Sequence, residues 1–150
     1  MLTQDNIKAT GQLAIVVKDE SGNVKQELVV PNLVVTVGKN WIASRMKDTG
    51  SPTQMTHMAI GAGTTAPDAA NTTLGSELGR VALSTAGGTV ANNVVTYSAS
   101  FGAGTGTGAV TEAGIFNAGT AGTMLCRTTF SVVNKGANDS MSIVWTVSLT

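Results

Sequence analysis

The sequence predicts an all-β fold, a β-sandwich or jelly-roll-like domain with one short helix near residues 39–47. Three observations carry that reading. Eight or nine short apolar stretches rich in β-branched residues follow one another at close spacing. Glycine-rich turns separate them. The stretch Ser140 to Leu149 alternates without a break, with Met141, Ile143, Trp145, Val147 and Leu149 against Ser142, Val144, Thr146 and Ser148. That is the period of a half-buried strand, and it turns Trp145 toward the core.

The elements follow in order. Gln12 to Lys18 reads as a strand, Asp19 to Asn23 as a turn, and Val24 to Val30 as the second arm of a hairpin. Pro31-Asn32 ends that arm, because proline cannot donate to a ladder. Leu33 to Val37 is a further short apolar run. Trp41, Ile42, Arg45 and Met46 share one helical face, with Asn40 as the expected N-cap. Met55 to Ile60 reads as a strand broken by Gly61-Ala62-Gly63, and Thr64 to Thr73 as a loop. Leu74 to Arg80 fits a short helical turn, and Val81 to Ser84 a strand. Val90 to Phe101 alternates in part and reads as one long strand. Gly102 to Gly108 is expected to be a hairpin tip, or a loop that lets two backbones approach closely. Val110 to Phe116, Met124 to Val132 and Ser140 to Leu149 complete the strands.

The 150 residues suit a single domain spanning 1–150, and no linker-like boundary or fixed-period repeat divides them. Hydrophobic residues make up 42% and charged residues 12%, about half of the usual ~25%. Such a chain collapses rather than remaining disordered. Its surface must be covered by Thr, Ser, Asn, Ala and Gly, which leave water at lower cost than charges do and so suit lasting contacts with other subunits. Nine basic and nine acidic residues cancel, and no basic stripe is present to neutralise phosphates, so no nucleic-acid partner is expected. No apolar run approaches the ~20 residues of a membrane span, so no membrane is expected. Met1 to Ala9 has no signal-peptide core, which suggests synthesis in a cytoplasm. Residues Met1 to Thr10 read either as an arm reaching a neighbouring subunit or as a frayed end.

The inventory for chemistry is thin. His57 is the sole histidine and sits in a strand, where a structural role is the commoner one. No serine lies in a nucleophile-elbow context to complete a triad with it. Cys126 is the sole cysteine, which excludes an internal disulfide, and its apolar neighbours Met124 and Leu125 mark it as a buried small hydrophobe. His57 and Cys126 make a poor start on a zinc site, which needs three or four ligands. Gly102, Gly104, Gly106 and Gly108 lack the spacing and the Gly-Lys-Thr/Ser ending of phosphate-binding loops, and a strand rather than a helix follows them. Glu77 and Glu112 are conceivable as a glycosidase pair, but few aromatics remain to line a sugar cleft. Glu77 and Arg80, three residues apart, fit a local ion pair that, where partly buried, would pin the loop after Gly63. We assign no catalytic, cofactor-binding or metal-ligating residue and no cofactor, and the chain is not expected to be an enzyme.

One set of residues goes further. His57-Met-Ala-Ile-Gly61-Ala-Gly63-Thr-Thr is followed by Thr72-Thr-Leu74-Gly-Ser-Glu77-Leu-Gly-Arg80, and later by Thr111-Glu112-Ala-Gly-Ile-Phe116-Asn117. This order resembles a pattern in small virion proteins of tailed bacteriophages: a strand ending in Gly-x-Gly, a loop, then Leu-x-x-Glu-x-x-Arg. The resemblance implies a β-rich building block with no catalytic residues to transfer. It implies a capsid decoration (cement) protein that braces the outer shell, or alternatively a tail-fibre or baseplate subunit. The short length favours decoration. The implied partners are the major capsid protein or other virion subunits, with the chain itself a trimer or dimer. The implied location is the virion, on the capsid surface rather than the tail, assembled in the host bacterial cytoplasm.

Overall fold

The computed structural model describes residues 5–47 and 53–150. Nine strands and one helix follow in the order β1 (Ala9–Lys18), β2 (Val24–Val34), α1 (Thr36–Arg45), β3 (His57–Gly61), β4 (Glu77–Ala82), β5 (Thr89–Ala91), β6 (Val94–Phe101), β7 (Gly108–Phe116), β8 (Met124–Lys135) and β9 (Ser140–Leu149). The fold is all-β. One antiparallel sheet in the order β4-β3-β7-β8-β2-β1-β9-β6-β5 curls round its own core.

The curl happens in β2. Its residues up to Asn32 pair with β1, while Leu33 and Val34 pair with Arg127 and Cys126 of β8. Pro31 therefore does not end the strand. It stands just before the change of partner, and its carbonyl accepts the Thr128 hydroxyl at 2.7 Å. Leu13, Ile15 and Val17 of β1 join Met58 and Ile60 of β3, Ile115 of β7, Val133 of β8 and Ile143 and Trp145 of β9 in one cluster. Trp145 is fully buried, and β9 has the bounds that its alternation predicts.

The β1–β2 hairpin turns on Asp19, whose carboxylate accepts the amides of Ser21 and Asn23 at 2.9 Å each. The helix begins at Thr36 rather than near residue 39, and its N-cap is Val35, which makes no side-chain cap. Asn40 lies inside it, exposed. Tertiary packing sets this start. Gly38 lies so close to the Leu125 carbonyl of β8 that a Cβ would overlap it, so the first turn is seated on β8 itself. Trp41 then packs into the core and donates its indole N–H to the Thr53 carbonyl at 2.8 Å.

Three further expectations change. Leu74 to Arg80 is not a helical turn: Glu77 onward pairs with β3 as an edge strand, which also takes in Val81 and Ala82 of the strand expected over Val81 to Ser84. The long strand expected over Val90 to Phe101 is a hairpin, β5–β6, because Asn92 takes a positive φ of 54° and reverses the chain. The Gly102 to Gly108 stretch is not a hairpin tip but the alternative, a loop of close backbone approach: a Cβ on Gly79 would meet the Gly106 backbone. β6 pairs with β9 and β5, and β7 with β3 and β8, so these glycines carry the chain between the two halves of the curl. Of the candidate arm, residues 1–4 lie outside the described residues. Lys8 exchanges backbone hydrogen bonds with Thr150, and Ala9 and Thr10 belong to β1, so this part is tied to the sheet.

Candidate functional site

The residues of the sequence pattern meet around Glu112. Glu112 lies in the middle of β7 with its side chain fully buried, and Arg127 of β8 is almost as deep, at 2% exposure. The two form a double hydrogen bond, Nε and Nη2 to Oε2 at 3.0 and 2.8 Å. The carboxylate also accepts the backbone amides of Gly63 (2.9 Å), Gly75 (2.9 Å) and Ser76 (2.7 Å). Arg127 completes its fork on the Asn71 side-chain oxygen and the Thr65 carbonyl, both at 3.0 Å. The whole β3–β4 connection is thereby clamped from inside. Gly61 and Gly63 are glycines for a packing reason: a Cβ on either would run into the Glu112 carboxylate.

Burial alone would raise the Glu112 pKa, but the amides of Gly75 and Ser76, the Arg127 guanidinium and the Gly63 amide outweigh it and hold the carboxyl below its ordinary value. A general acid needs the opposite shift. Glu112 is therefore held as an ionised structural anion, and Glu77 is engaged separately. Glu77 takes Arg80 at 2.7 Å, and Arg80 lies over the Phe116 ring at 3.8 Å while donating to the carbonyls of Ala118 and Ala121. The Glu77–Arg80 pair thus secures the turn between β7 and β8. The loop after Gly63, which that pair was expected to pin, is held by Glu112 and Arg127 instead.

A second charged cluster holds the glycine crossover. Lys135, 1% exposed, donates to the carbonyls of Gly102 and Asp139 at 2.8 Å each. Asp139 accepts Lys25 at 2.6 Å and the Gly136 amide at 2.7 Å, which lower its pKa. Burial lowers the Lys135 pKa, opposed by Asp139.

The other candidates do not converge. His57 takes a hydrogen bond with the neighbouring Thr56 hydroxyl at 2.7 Å through Nδ1. Cys126 is wholly buried, and that burial pushes its thiol pKa well up, the reverse of an activated nucleophile. Among the described residues no three His, Cys, Asp or Glu side chains come together as a metal site, and no helix is long and apolar enough to cross a membrane. The main concavities adjoin one another at α1. Two hollows of about 300 and 400 Å³ share Ile42 and Leu149, and Trp41 and Tyr97 line the first. Their described lining holds no carboxylate, histidine or cysteine. Sequence reading missed the roles of Arg127 and Lys135. Glu112 gave the one available signal, since an acid within the apolar run from Val110 to Phe116 requires a buried cation as partner. No protein-family model, curated protein or solved structure matches this chain.

Proposed function

We propose that this chain is a non-catalytic structural protein of a tailed-phage particle, a decoration protein that binds the outer shell, braces capsomer contacts and associates with copies of itself. The observation that carries the reading is the convergence of the three phage-like segments on one clamp. Gly61-Ala-Gly63, Leu74-Gly-Ser76 and Thr111-Glu112 lie apart in the chain yet close around a single buried carboxylate. In such a clamp the motif residues preserve shape rather than perform chemistry. The groups most suited to catalysis support the same reading: Glu112 and Cys126 are sealed from solvent, and Glu77 is tied to its arginine. A decoration protein would act by burying surface that exists only in the assembly, so stabilisation would follow mass action.

Labelling particles with an antibody to this chain tests the reading under the electron microscope. Label spread over the head is expected. Label confined to the tail would assign the chain to a fibre or baseplate instead, and unlabelled particles would overturn the proposal.

A further inference from the structure

The outward face of β2, β1, β9 and β6 carries almost no charge. Cross-strand register sets Val29, Ala14, Val144 and Ser98 in one row across it. The rows on either side run through Gln12 and Thr146, and through Val16 and Ser142. Three rows on four strands give twelve outward positions, and Glu27 alone among them is charged. A typical surface with about 25–35% charged residues would place three or four there. Val29 and Val144 are 61% and 47% exposed on either side of the small Ala14. The face is an antiparallel, nearly neutral surface with an apolar centre.

We propose that this face pairs two copies of the chain, sheet on sheet, about a two-fold axis. The proposal rests on reading the chain as a repeated building block, and it identifies the surface that repeats. Charge favours a second copy as occupant. An axis along the strands lays β2 over β6 and sets Glu27 against Ser100 of the other copy. An axis across the strands lays β2 over β2 and sets Glu27 against Pro31. Neither arrangement brings the two Glu27 carboxylates together, so self-pairing meets no like-charge penalty. Area is sufficient as well. Four strands at ~4.8 Å and eight residues at ~3.4 Å make a face of about 500 Å² per copy, and about 1,000 Å² per pair is the lower bound of specific interfaces. The side chains are small enough for the ~10 Å spacing of packed sheets.

Sedimentation equilibrium of the full chain without shells, over roughly 1 to 200 µM, reads the pairing directly. A reversible dimer is expected. Val144→Glu should weaken it by about tenfold or more, because it buries an unpaired charge at the centre. Val90→Glu, at a site 71% exposed on β5 and off this face, should leave it unchanged. Should Val144→Glu fail to fold, Ser98→Arg in the same row takes its place. A chain that stays monomeric across the range, a dimer indifferent to the central substitution, or an assembly larger than a pair would overturn the proposal. Shell binding is measured separately, so a chain that pairs but binds no shell would refute the decoration reading and leave this face standing.

Discussion

The β7–β8 hairpin and the four-stranded face of β2, β1, β9 and β6 treat charge in opposite ways. The hairpin holds Glu112, Arg127 and Lys135 inside, each at most 2% exposed. The four-stranded face shows one charge among its twelve central outward positions. The difference follows from what each region must hold in place. The β3–β4 connection from Ala62 to Ser76 is long for a segment without strand or helix, and it has no ladder to fix it. Ionised groups aimed at its amides and carbonyls replace that ladder. The four-stranded face is already fixed by its own backbone bonds and needs no charge for its fold. Its outward side chains are therefore free to suit a partner.

Breaking the clamp should have the largest effect. Arg127→Ala leaves the Glu112 carboxylate buried without its cation, so a loss of about 3–5 kcal/mol is expected, read as a melting temperature lower by roughly 10 °C. A loss under ~1 kcal/mol would mean that the amides alone hold Glu112. Gly63→Ala pushes a methyl group into the same carboxylate and should cost about 2 kcal/mol by denaturant titration. Lys135→Met keeps the packing but orphans the Gly102 and Asp139 carbonyls, for a loss of about 1–2 kcal/mol. Acid should act on the charged region only. In the folded chain Glu112 sits below its ordinary pKa of 4.5, so the unfolded chain takes up the proton first as pH falls. Stability from this group is complete above that ordinary value and is lost as pH drops through the folded one. Melting curves recorded on acidification should therefore fall less steeply for Glu112→Gln than for the parent chain. The smallest effect belongs to the neutral face: at concentrations too low for pairing, Val144→Lys should shift unfolding by no more than ~0.5 kcal/mol, because the side chain stands half exposed outside the core.

The two regions also differ in how far the sequence reveals them. Strict alternation made β9 legible to the residue, since one face is buried from Met141 to Val147. The Asp19 to Asn23 turn was legible from its turn chemistry. Long-range packing hid the rest. Gly38 on β8 moved the helix start ahead of any capping residue, and the change of partner in β2 carried the strand through Pro31. The clamp was half legible: Glu112 in an apolar run asked for a cation, but its amide donors lie 36 to 49 residues away. No local pattern records that meeting. The charge-poor composition was visible at once, whereas its concentration on one face depends on strand register.

The proposed assembly role is tested most directly by titrating the purified chain onto undecorated phage shells. Bound chain is followed by co-sedimentation, and shell integrity by the temperature of disruption. The account predicts saturable binding with a fixed number of copies per shell and a higher disruption temperature once the sites are filled. Shells that take up no chain at any concentration, and that disrupt at the same temperature with or without it, would contradict it.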